Sequence, residues 1–243
     1  MNAARRFAYL ADAPSPDPRI RMTTKKKSTK SGTKADSTRS SAAKTSGGAG
    51  AVARRILVDE NPQSKLAEHG ETMMDGPRTA ATQSARVLSE VLAEKPELVV
   101  PLVAKFAKGI SSSNKRVVQT SAEALPAIAR IAPARVARQL DVLKTSFEGA
   151  SDVGKDGLVK TFAALCTASV AYQKRLEPVL TLALNGADGK TLLAWTQIVL
   201  PALKGEPHAR ARAVVEGRLN LIPRSYGQQI ADFLGIKLRL RYR

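Results

Sequence analysis

Residues 78–94, RTAATQSARVLSEVLAE, decide how the fold of this chain is read. Ala81, Ala85, Leu88 and Leu92 recur at spacings of 4, 3 and 4, which places them on one face of a helix. The same plan returns in residues 115–131, KRVVQTSAEALPAIARI, where Val118, Ala122, Leu125 and Ile128 form the stripe. Ala85, Leu88 and Val91 map onto Ala122, Leu125 and Ile128 at an offset of 37. The punctuation repeats as well. Pro96, Pro133 and Pro207 stand 37 and 74 residues apart, with Val170 at the intermediate place. Self-similarity at such a period is the signature of stacked helix pairs.

Working outward, the periodicity predicts a first pair at 78–94 and 96–109, the latter with Leu98, Leu102 and Phe106 inward. The second is 115–131 and 134–148, with Asn114 as N-cap. The third is 155–170 and 173–185, and the fourth 189–204 and 208–220. A closing helix at 225–235 carries Ile230, Phe233 and Leu234. Gly149, Gly186 and Gly205 follow apolar runs, where helix ends are expected. Pro126 and Pro201 fall within first helices and Pro101 and Pro178 within second helices, about two periods apart in each case, which predicts a shared bend. Before the repeats, 51–76 reads as a lead-in around Ile56, Leu57, Leu66, Met73 and Met74, interrupted by Pro62 and Gly70.

This pattern resembles HEAT repeats and their armadillo-like relatives over about 78–220: two antiparallel helices per repeat, a proline-kinked first helix, a short second one. The resemblance implies an all-α, right-handed α-solenoid of about four helix pairs over 77–236, with the second helices lining its concave face. The turn aspartates common in that family are missing here, which departs from a regular Asp–Arg ladder.

The chain has a net charge of +18, and the charge is uneven. Residues 1–55 hold 13 basic and 3 acidic side chains, 56–204 hold 18 and 15, and 205–243 hold 8 and 3. Excess charge speaks to partners, here acidic ones, and little to fold. Residues 23–50, TTKKKSTKSGTKADSTRSSAAKTSGGAG, lack any large apolar side chain and cannot offset the entropy of ordering, so 1–50 is expected to be a disordered basic tail. Its composition resembles the tails of linker-histone-like bacterial DNA-associated proteins. The start, Asn2 to Leu10, is basic and mildly amphipathic, which leaves a transit peptide and a translation start at Met22 both open. Otherwise a cytoplasmic setting is expected, nucleoid-associated in a bacterium. No apolar run is long enough for a membrane span.

The recurring constellation is cationic. Arg138, Arg175 and Arg212 lie 37 apart, flanked by Arg135, Lys174 and Arg210, so regular stacking would align them in a row able to follow a phosphate backbone. The last eight residues, Ile236 to Arg243, alternate apolar and basic, placing Lys237, Arg239, Arg241 and Arg243 on one side of an extended arm over 237–243. With the tail cations Lys25, Lys26, Lys27, Lys30, Lys34, Arg39, Lys44, Arg54 and Arg55, these are the expected nucleic-acid contacts.

Signals for catalysis are poor. His69 and His208 are isolated, Cys166 is the sole cysteine, and no glycine-rich phosphate loop or metal-ligand spacing occurs, so no cofactor is expected. Asp152, Asp156 and Asp188 sit where helix-start carboxylates belong. Trp195 reads as core. The expectation is a non-catalytic binding protein for nucleic acid, DNA favoured. A scaffold for acidic protein partners is the alternative. Some HEAT-like proteins are glycosylases for alkylated DNA, using aromatics and an Asp on the concave face, but this chain offers no aromatic cluster to carry that motif.

Overall fold

The computed structural model describes residues 38–237, with side chains from Gly48 onward. All regular structure among the described residues is helical. The elements are α1 (Thr38–Leu57), α2 (Pro62–Asp75), α3 (Arg78–Glu94), a 3-10 segment (Pro96–Leu102), α4 (Val103–Gly109), α5 (Lys115–Ile131), α6 (Pro133–Ala137), α7 (Leu140–Gly149), α8 (Asp152–Ala168), α9 (Val170–Gly186), α10 (Gly189–Ala202), α11 (Gly205–Arg218) and α12 (Arg224–Leu234).

α3 and α5 occupy the expected bounds. Their starts are set locally, Asn114 Oδ1 accepting from the Arg116 amide at 3.0 Å at the head of α5. Other boundaries differ, each for a reason. The helix expected over 96–109 begins as a 3-10 segment, since Pro101 lacks the amide that would close an α-helical turn. The one expected over 134–148 divides at Arg138 and Gln139, where Gln139 takes φ −99° and ψ 8°. α8 starts three residues early because Ser151 caps it, its Oγ accepting from the Gly154 amide at 3.4 Å. The lead-in is interrupted between Leu57 and Pro62, which opens α2 from the first turn where its missing amide costs nothing, whereas Gly70 lies within α2 and does not interrupt it. Pro126, Pro178 and Pro201 lie within α5, α9 and α10, which run through them.

α1 begins at Thr38, within the segment 1–50 expected to be a tail. Its second half is anchored by Ala49, Ala53 and Ile56, all buried. Small side chains that looked unable to support a core suffice once they face other helices. Residues 1–37 and 238–243 lie outside the described residues.

Apolar stripes account for the packing. α2 packs on α3, α3 on α5, α5 on α8, α8 on α10 and α10 on α12, while α4 lies on α5, α9 on α8 and α11 on α9. Phe106, Leu125, Ile128, Leu158, Phe162, Leu176 and Leu180 are fully buried between them. The exception is Phe233, assigned to the inner face of the closing helix but 44% exposed.

Side-chain hydrogen bonds that skip a helix join residues 31 to 39 apart. Thr120 Oγ1 donates to the Ala85 carbonyl at 3.2 Å, Ser89 Oγ to Glu123 Oε2 at 3.3 Å, Trp195 Nε1 to Asp156 Oδ1 at 3.0 Å and Arg218 Nη2 to the Ala187 carbonyl at 2.8 Å. Opposite faces of one helix lie about two residues apart in sequence, at roughly 100° per residue. Parallel neighbours one 37-residue period apart therefore meet at separations near 35 and 39.

Candidate functional site

The turns from each first helix to its second helix are short. α5 passes to α6 through Ala132, α8 to α9 through Ser169, and α10 to α11 through Leu203 and Lys204. Gln173 links α9 to the α10–α11 turn, its Nε2 donating to the Cys166 carbonyl at 2.9 Å and its Oε1 accepting from the Lys204 amide at 3.0 Å. Arg175 of α9 reaches Asp141 Oδ1 in the first turn of α7, at 3.9 Å, and Arg210 of α11 reaches Glu177 Oε2 of α9 at 3.6 Å. These contacts bring the N-terminal halves of α7, α9 and α11 together into one edge beside the three turns, the corner edge.

Charge around these three turns is one-sided, whereas the turn from α3 to the 3-10 segment is flanked by the exposed Glu94 and Glu97. The carboxylates near the three turns are Asp141, Glu177 and Glu206, and each lies within ion-pair distance of an arginine, Glu177 and Glu206 both of Arg210. The hydrogen bond that Arg210 donates to Glu206, and then the charges of both glutamates, hold the guanidinium above its usual pKa as a cation. Arg130, Arg135, Arg138, Lys174 and Lys204 remain; all five are exposed and form no ion pair among the described residues.

The three arginines of the expected row have different surroundings. Arg138 is exposed between α6 and α7. Arg175 leans onto Asp141. Arg212 is half-buried, its Nε donating to Glu216 Oε1 at 2.7 Å and its Nη2 to the Leu234 carbonyl at 3.2 Å. The closing helix covers the last member of the row, so Arg212 serves there as a cap for the C-terminal end of α12. Arg212→Ala is expected to cost about 1 kcal/mol, since a charge-assisted bond to a backbone carbonyl is lost. Arg138→Ala should leave thermal stability within about 0.5 kcal/mol, as for an exposed charge. Thermal melts of the two variants check this difference.

Of the other expected contacts, Arg54 and Arg55 are exposed on the last turn of α1, and Arg54 Nε donates to the Gly50 carbonyl at 3.2 Å. Arg39 and Lys44 belong to α1, and Lys237 is exposed just past α12. Lys25, Lys26, Lys27, Lys30, Lys34, Arg239, Arg241 and Arg243 lie outside the described residues. Arg130 and Lys204, exposed on the same edge, were not among the expected contacts, although they stand 74 residues apart, two periods, with Thr167 between.

The opposite edge, where second helices return to first helices, has another character. A groove of about 740 Å³ is floored by Phe147, Leu182, Ala183 and Trp195, with Glu148, Asp152, Asp156 and Asp188 around it against Lys155 and Lys190. Asp188 caps α10, accepting from the Thr191 amide at 2.7 Å, and its hydrogen bonds with Thr191 hold its carboxyl below the usual range. Asp152 lies in the first turn of α8 as expected. Asp156 does not cap a helix; its carboxylate accepts from Trp195 Nε1 and from Lys160 Nζ at 2.5 Å. Trp195 is buried, as the sequence indicated. Burial pushes the Cys166 thiol up to about 12, which keeps it protonated and unreactive.

Among the described residues no three His, Cys, Asp or Glu side chains are grouped to hold a metal, and no helix is long and apolar enough to cross a membrane. No protein-family model, curated protein or solved structure matches the chain.

Proposed function

We propose that this protein is a non-catalytic nucleic-acid-binding protein, built as a right-handed HEAT-like solenoid of about four helix pairs with a basic N-terminal extension, and acting in the cytoplasm or on a bacterial nucleoid. The stacking is supported by the order in which helices pack and by bonds recurring near one period. Five unpaired cations on the corner edge carry the binding reading, because a cation without a protein carboxylate is free to replace a counterion of a polyphosphate. The N-terminal segment would add sequence-independent phosphate affinity, and α1 would join it to the helical stack. A scaffold for an acidic protein draws on the same cations, with no further observation in its favour.

A gel shift of the full chain with duplex DNA, with and without residues 1–37, tests this. Binding should weaken steeply between 50 and 200 mM salt and should weaken without disappearing on deletion. Absence of a shift at low salt would refute the nucleic-acid reading.

A further inference from the structure

We infer that the corner edge is a reader of duplex backbones, binding double-stranded in preference to single-stranded nucleic acid and indifferent to base sequence and to the sugar. This rests on the nucleic-acid reading above and names its ligand.

The argument starts from what the edge offers. Arg130, Arg135, Arg138, Lys174 and Lys204 are exposed and unpaired, while Asp141, Glu177 and Glu206 each lie within ion-pair distance of an arginine. The unpaired cations are carried on helix ends and short turns, and Gln173 bonds α9 to the α10–α11 turn while Arg175 and Arg210 pair α9 with α7 and α11 with α9. Packed helices lie about 8–10 Å apart, so the cations recur in tiers at that interval on a stiff frame.

The exposed apolar side chains among the cations are aliphatic: Ile131 and Val170, 49% and 59% exposed, lie at the α5–α6 and α8–α9 corners. Tyr172 is half-buried against the core, and Trp195 is buried at the opposite edge. Single-strand binders recover the cost of ordering a flexible strand by stacking bases on exposed aromatic faces. This edge supplies phosphate contacts without such faces. A duplex arrives already ordered and stiff, and it carries one charge per about 1.7 Å of axis, a higher linear density than a lone strand. A rigid, purely cationic edge therefore gains more from the duplex. Among the described residues no helix projects from the corners to enter a groove, so base edges go unread, and with contacts limited to phosphates the sugar is not sensed.

The test uses the full chain and a labelled 20-mer as DNA duplex, as RNA duplex and as one DNA strand, titrated from 50 to 200 mM salt. Both duplexes should bind alike, and at least about 10-fold more tightly than the strand. Replacing the five cations by Gln should reduce the duplex log–log salt slope by about 4–5, five phosphates at roughly 0.9 each. Equal or tighter binding of the single strand would overturn the inference, as would a slope that the five changes leave intact. Selective loss of strand binding in Phe233→Ala, with the strand preferred, would show a stacking mode and also overturn it. Failure of the full chain to bind any of the three would instead remove the nucleic-acid reading on which it rests.

Discussion

Gly157→Ala is expected to destabilise the protein by about 2 kcal/mol, although alanine is the better helix former by about 1 kcal/mol. The position lies within α8 where it crosses α5. A Cβ there would stand 2.4 Å from Ala122 Cβ and 2.5 Å from Ala122 Cα. Because the obstacle includes backbone, relief requires moving a whole helix, and overpacking of this kind costs about 1–3 kcal/mol and sometimes more. Gly217→Ala is the matched control. It lies within α11 with nothing within 4 Å of the added carbon, so it should stabilise by about 0.5–1 kcal/mol. Thermal denaturation should lower the midpoint for the first variant and raise it for the second. Equal behaviour would mean that α5 and α8 do not approach this closely, and the alignment of the corners would lose its footing, because it depends on that contact.

Which parts of this were legible in the sequence follows from what periodicity encodes. Ala85, Leu88 and Val91 announce α3, and the same spacing announces α5, because an apolar stripe records which side faces the core. Pro96 and Pro133 mark the starts of second segments, since proline fits a first turn. The early start of α1 was not visible: Ala49 and Ala53 resemble tail residues until the helices they pack against are known. Phe233 was misplaced for the converse reason, since a helical stripe in sequence does not say which of its members meets a neighbouring helix, and among the described residues Phe233 stays partly open to solvent.

The site was legible only in part. Arg138, Arg175 and Arg212 announce themselves by spacing, yet spacing says nothing about which are free. Asp141 meets Arg175 from 34 residues away and Glu177 meets Arg210 from 33, and these partners depend on which faces of neighbouring helices meet. Arg212 is consumed by α12, an end effect that a repeat pattern cannot express. What remains available is set by subtraction, carboxylates against arginines, once the corners are known to be neighbours.

Reversing charge at the corners should have the largest functional effect. Arg135, Arg138 and Lys174→Glu would replace three free cations by carboxylates, turning attraction to phosphate into repulsion at three points. The loss of duplex affinity should be on the order of 100-fold at about 100 mM salt, a medium whose screening length of about 10 Å still lets neighbouring charges act together. Stability should change little, since none of the three is paired.

The decisive measurement sets this variant against Lys115, Lys155 and Lys190→Glu at the opposite edge, which changes the net charge of the full chain by the same amount. Fluorescence anisotropy with one labelled duplex, at one salt concentration, and circular dichroism to confirm intact helices, give the comparison. The corner variant is predicted to lose on the order of 100-fold in affinity and the opposite-edge variant less than about 3-fold. Equal losses would show that net charge alone governs binding, and a larger loss at the opposite edge would place the contact there; either result contradicts a corner-edge interface.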